Sequence, residues 1–173
     1  MALGQLDTDT RRKVFLSISH GKVVHYLTGG EQECFKNVEG TLQDITIKER
    51  SFNGKSTPFW YIDLKDGKYT YSISLPYASG TFKSIILSLA SCANLTTETK
   101  VLIEPYEKTV SGKLYTKVVV YADEVKLNWV VKELPPLKQI VLGNNTLTDD
   151  TERMEFIRNL ASQVRERIGK GKL

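Results

Sequence analysis

Reactive side chains are scarce in this chain. Its 173 residues include two histidines and two cysteines. Cys34 and Cys92 lie far apart with no second cysteine at metal spacing, so zinc-ribbon and disulfide-framework classes are excluded. Both thiols are expected to be buried and reduced. His20 and His25 fall in one hairpin without a Cys, Asp or further His at ligand spacing, which leaves no metal site to predict. No Gly-x-Ser-x-Gly elbow occurs, and neither cysteine neighbours a histidine. Gly54-Lys55-Ser56-Thr57 resembles the end of a phosphate-binding loop, but Glu49 stands where its first glycine belongs and no helix follows. That stretch reads as a turn. No catalytic constellation and no cofactor is predicted, so an enzyme is disfavoured.

Long apolar runs are also missing. No run follows Met1, which predicts neither a signal peptide nor a membrane span, hence no membrane partner and a cytoplasmic location. Charge of one sign is not lacking: 24 basic against 20 acidic residues leave a net +4, compatible with a polyanionic partner.

What the chain has is alternation. From Pro58, Trp60, Ile62 and Leu64 alternate with Tyr61, Asp63 and Lys65, the period of a half-buried strand. Asp66-Gly67 supplies a tight turn. Tyr69, Tyr71, Ile73 and Leu75 then alternate with Thr70, Ser72 and Ser74. Ser79 sits at an N-cap position, and Phe82, Ile85, Ile86, Leu89 and Ala93 share a helical face. Before this unit, Val38 to Arg50 reads as a long strand with a bulge between Leu42 and Ile45, followed by a polar turn from Ser51 to Thr57. After it come strands over Thr99–Glu107 and Leu114–Tyr121, the second continuing over Val125–Val131. Lys13 to Leu27 reads as a hairpin turning at His20-Gly21, a connection follows over Glu31–Asn37, and the chain runs polar past Pro135-Pro136. Thr148 or Asp149 opens a last helix with Met154, Ile157, Leu160, Ala161, Val164 and Ile168 on one face.

Strand, strand, strand, helix, strand, strand is the order of the five-stranded OB barrel, with its helix between strands three and four. The expected fold is therefore mainly β: residues 1–37 an N-terminal hairpin extension, 38–131 the OB-fold domain, 132–173 a linker and C-terminal amphipathic helix. The apolar stripe of that helix packs on the barrel or forms a homodimer seam.

Aromatic residues concentrate in the strands and turns, interleaved with cations. Single-stranded nucleic acid calls for this mixture, because bases stack on aromatic faces while Lys and Arg neutralise phosphates. Tyr61 alternates to the polar side of its strand. Tyr115 and Tyr121 share the Lys117 side, Tyr106 lies opposite Val101 and Ile103, and Phe52 sits at a polar hairpin tip. Tyr71 joins them although it shares a face with Ile73. Lys48, Arg50, Lys55, Lys113 and Lys117 are the expected phosphate contacts.

The segment VEGTLQDITIKERSFNGKSTPFWYIDLKDGKYTYSISL resembles the first three strands of the single-stranded DNA-binding proteins of phages and bacteria. The resemblance extends from Val38 to about Val131. It implies sequence-independent binding of single-stranded DNA in replication, recombination or repair, with replication or recombination proteins as further partners, in the host cytoplasm if a phage encodes the chain. The basic ending RERIGKGKL departs from the acidic tail of many such proteins, and the zinc site of some phage members has no counterpart. Two rival readings stand beside it: an OB-like protein-interaction adaptor, and an RNA-binding OB domain.

Overall fold

The computed structural model describes residues 12–129 and 133–173. Strands β1 (Arg12–Ser19) and β2 (Lys22–Tyr26) form a hairpin across His20-Gly21, both at positive φ, and β3 (Gln32–Phe35) pairs with β2. Next come β4 (Val38–Phe52), β5 (Lys55–Asp66), β6 (Tyr69–Pro76), helix α1 (Gly80–Ala90), β7 (Lys100–Val110), β8 (Lys113–Ala122) and β9 (Val125–Lys126). A separate hairpin, β10 (Lys138–Leu142) and β11 (Asn145–Asp149), precedes helix α2 (Thr151–Arg167).

The first nine strands make one mixed sheet in the order β3-β2-β1-β6-β5-β4-β7-β8-β9. This overturns the expected OB barrel. Closing such a barrel requires its third strand, β6, to pair with its fifth, β8. That edge of β6 is instead taken by β1, which runs parallel to it from Arg12 opposite Tyr69 to Leu16 opposite Ile73. The free edge of β8 takes β9, and the sheet stays open. The β1–β2 turn reaches the inward side of the β7–β8 hairpin, where the Gly21 amide donates to Thr116 Oγ1 at 3.1 Å. A Cβ at Gly21 would lie 2.6 Å from Glu107 Cγ and 2.9 Å from its backbone nitrogen, so only glycine fits there.

Several local expectations are met with adjustments. The register of β4 against β5 shifts between Leu42 and Asp44, and this bulge turns Ile45 back into the core. At the foot of β4, Gly40 allows a close approach: a Cβ there would meet the Lys65 carbonyl oxygen at 2.8 Å. The β5–β6 turn is Gly67-Lys68 rather than Asp66-Gly67, with the glycine at φ 60°. Ser79 Oγ accepts from the Phe82 amide at 3.2 Å, but α1 ends before Ala93, which is exposed. Of the two thiols, Cys92 is buried and Cys34 exposed. Asp150 occupies the N-cap of α2, while Asp149 accepts from the Thr151 amide and hydroxyl. Strand β3 and the β10–β11 hairpin lie where the sequence reads as connection. The last part of the Val125–Val131 extension falls outside the described residues; within them only Val125–Lys126 pairs.

The core lies on one side of the sheet and is covered by α1. Leu42, Ile45, Trp60, Ile62, Leu64, Ile73, Val101, Ile103 and Val120 point into it, as do Leu16 and Val23 from the first hairpin. Trp60 is fully buried and stacks on Phe82, with ring centroids 4.1 Å apart, while its indole N–H donates to the Tyr77 carbonyl at 3.0 Å. Helix α2 packs on α1 through Ile157, Ala161 and Val164, all fully buried. Arg167 closes the end of α1 by donating to the carbonyls of Ala90 (2.7 Å) and Cys92 (3.1 Å), satisfying groups a helix terminus leaves open. Arg165 pairs with Asp44 at the β4 bulge and donates to the Ile45 carbonyl, fastening α2 to the sheet.

Replacing Trp60 by Ala is expected to cost about 3–5 kcal/mol in urea denaturation. Phe52→Ala, at a tip 78% exposed, should change stability by no more than about 0.5 kcal/mol.

Candidate nucleic-acid interface

Residues directly opposite in an antiparallel pair share a face. Across β4 and β5 the inward pairs include Ile45 with Ile62 and Ile47 with Trp60. The outward pairs are Thr46 with Tyr61, Lys48 with Phe59, Arg50 with Thr57 and Phe52 with Lys55. From Lys48 to Thr57 every residue is exposed, so this hairpin extends beyond the core as an arm ending at Asn53-Gly54. The β7–β8 hairpin does the same from Tyr106 to Tyr115, ending at Ser111-Gly112. Its outward pairs are Tyr106 with Lys117, Lys108 with Tyr115 and Val110 with Lys113, while Tyr121 lies half-buried at the base opposite Leu102.

Each arm therefore has a face of alternating aromatics and cations. Lys48 Nζ lies 5.4 Å from the Tyr61 ring centroid, Arg50 Cζ 4.4 Å from that of Phe59, and Lys117 Nζ 5.7 Å from that of Tyr115. The acidic residues of the exposed arms are on the other side: Glu49 pairs across from Pro58 and accepts from Ser56 Oγ, and Glu107 pairs across from Thr116. At the bases, Asp63 and Glu104 share the outward side, where Asp63 meets Lys13 Nζ and Glu104 accepts from Asn37 Nδ2. Among the described residues Lys48, Arg50, Lys55, Lys113 and Lys117 enter no ion pair. Strands β4 and β7 pair only from Val38–Thr41 to Lys100–Ile103, antiparallel, so the arms leave this shared segment by opposite ends. No hydrogen bond or ion pair links one arm to the other among the described residues.

Ten of the eleven expected residues fall on these two outward faces or at their base: Lys48, Arg50, Phe52, Lys55 and Tyr61 on one arm, and Tyr106, Lys113, Tyr115, Lys117 and Tyr121 on the other. Tyr71 does not. It points inward, opposite Leu64 and Val14, beside Tyr69 with ring centroids 6.3 Å apart. Burial, and then the nearby Asp66 carboxylate, push its phenol above the ordinary tyrosine value. Phe59 joins the outward set: two residues before Tyr61, it shares that face, a position that strand alternation alone makes legible. Phe15 is less legible. It is exposed on the outward side of β1 with Lys13 Nζ 5.8 Å from its ring, a position set by the parallel pairing with β6.

No protein-family model, curated protein or solved structure matches this chain. Its own geometry carries the functional reading. Among the described residues no group of three or more His, Cys, Asp or Glu is arranged to hold a metal ion, and no helix is long and apolar enough to cross a membrane. His20 is exposed in its turn, and His25 lies 3.3 Å from Glu33 Oε1.

A phenol whose pKa is raised on folding favours the protonated native state. Its contribution is therefore fully present below the unfolded tyrosine value near 10 and lost as pH rises through the higher folded value. Stability measured by denaturant titration at stepped alkaline pH should fall less steeply for Tyr71→Phe than for the unsubstituted chain; identical slopes would contradict the assigned burial.

Proposed function

We propose that this protein binds single-stranded DNA without sequence preference, in replication, recombination or repair. The observation that carries the reading is the segregation on the exposed parts of both arms, Lys48–Thr57 and Tyr106–Tyr115: aromatics and cations without an ion pair among the described residues outward, Glu49 and Glu107 inward. Bases stack on Phe52, Phe59, Tyr61, Tyr106 and Tyr115, while Lys48, Arg50, Lys55, Lys113 and Lys117 neutralise phosphates. None of these contacts reads a base edge, so the binding is indifferent to sequence. The rings are already held by their strands, and Lys48, Arg50 and Lys117 lie over or beside them, so little ordering opposes association. An outward side free of carboxylates along Lys48–Thr57 and Tyr106–Tyr115 is what a phosphate backbone needs, and a net +4 adds a weak long-range attraction.

Fluorescence anisotropy with a labelled oligodeoxythymidylate of about thirty nucleotides tests this, beside a duplex and an oligouridylate of equal length. Binding should weaken with salt, and Lys48→Ala with Arg50→Ala should flatten the log–log salt slope by about 1.4, near 0.7 per lost phosphate contact. Tyr61→Ala and Tyr115→Ala should each cost about 1–3 kcal/mol of affinity. No binding at micromolar protein, or equal affinity for duplex, would overturn the proposal.

A further inference from the structure

The opposite side of the sheet carries a site of different charge. A cleft of about 520 Å³ opens between β1, β2, β3, β6 and the start of β4. Its walls are aromatic and aliphatic: Tyr69 and Tyr71, stacked at an interplanar angle of 16°, face it together with Phe35 and Val14. The acidic residues lining it are Glu33, with His25 beside it, Asp66, and Glu39, whose carboxylate lies 3.9 Å from Lys100 Nζ. Not one of its lining residues is lysine or arginine, in a chain with a net charge of +4. A phosphate backbone is repelled here, whereas a cation finds carboxylates at the rim and ring faces within.

One wall of this cleft is also the edge of the sheet. Strand β3 pairs only with β2, all four of its residues are exposed, and no described strand takes its outer edge. Exposed edges are usually blunted by shortness, lysine, proline or a bulge. The other edge of the sheet follows that rule, since β9 is two residues long. Strand β3 is four residues long but reads Gln32-Glu33-Cys34-Phe35, with neither lysine nor proline, and runs in register with β2 from Val23–Phe35 to Tyr26–Gln32. The inward side chains of this edge, Glu33 and Phe35, are those that line the cleft.

We infer that β3 and the adjoining cleft form a docking site for an extended basic segment of a partner protein. The segment adds to the free edge of β3 through backbone hydrogen bonds. Its alternate side chains, lysine or arginine, enter the cleft against Tyr69, Tyr71 and the carboxylates of Glu33 and Asp66. Charge complementarity selects this occupant: an acidic or neutral strand meets the same edge without compensating Glu33 and Asp66, whereas Glu39 already has Lys100 Nζ 3.9 Å away. The site faces away from the outward surfaces of the arms, and the inference stands whether or not those bind DNA.

The test uses the full chain and a short peptide of alternating arginine and valine, with a glutamate–valine peptide as control, followed by NMR chemical shifts. The arginine peptide should shift the amides of Gln32–Phe35 and the rings of Tyr69 and Tyr71, and the glutamate peptide should not. Glu33→Gln with Asp66→Asn should weaken its binding by roughly tenfold, with an unchanged spectrum elsewhere reporting an intact fold. An arginine peptide N-methylated at alternate residues keeps its charge but loses edge pairing, and its binding should fail. The inference is overturned if the arginine peptide produces no shifts at millimolar concentration, if its shifts fall on the arms, or if binding survives either the double substitution or N-methylation. It is equally overturned if the free chain is a dimer in which β3 is already protected, for the edge would then belong to a second copy.

Discussion

Trp60 sets the register on which the functional surface depends. Its indole is fully buried against Phe82 and Tyr77 and tied by one hydrogen bond to the Tyr77 carbonyl. With that side chain fixed inward, the two-residue period of the strand puts Phe59 and Tyr61 outward, and cross-strand pairing does the same for Lys48 and Arg50. A slip of one residue would expose the tryptophan and drive the tyrosine and the cations into the core. The energy that holds the interface in place is thus core energy, supplied by residues that touch no ligand. The bulge in β4 belongs to the same device: it lets one strand keep Leu42 and Ile45 inward while changing direction between the foot of the sheet and the arm.

The two sides of the sheet divide the electrostatic work. Among the described residues the outward-facing cations of both arms enter no ion pair, and the carboxylates of the exposed arms, Glu49 and Glu107, sit inward. The inward cleft beside β3 has the opposite bias. A modest net charge conceals this arrangement, because +4 is a sum over regions of opposite sign. The two proposed partners, one polyanionic and one basic, would use different groups of one small sheet.

Much of this was legible in the sequence, and what escaped did so for identifiable reasons. Strand alternation located β4 to β8, the capping serine of α1 and the outward residues of both arms, since burial enforces a period of two. Alternation does not name a strand's neighbour. Nothing in Val14, Leu16 and Ile18 announces that β1 will run parallel to β6 and occupy the edge a closed barrel would need. The same gap hid Phe15. Strand β3 and the β10–β11 hairpin were missed because almost all their residues are exposed, leaving no hydrophobic rhythm to detect. Tyr71 differs for another reason: alternation along its own strand puts it on the apolar face beside Ile73, and the structure keeps it there, opposite Leu64 and Val14.

The most direct measurement is ultraviolet crosslinking of the full chain to an oligodeoxythymidylate, with the modified residues mapped by mass spectrometry. Stacking on the outward faces predicts crosslinks at Phe52, Phe59, Tyr61, Tyr106 and Tyr115, and none at Tyr69 or Tyr71. Crosslinks concentrated at Tyr69 and Tyr71, or absent from both arms, would contradict the division of the sheet into a nucleic-acid side and an acidic side.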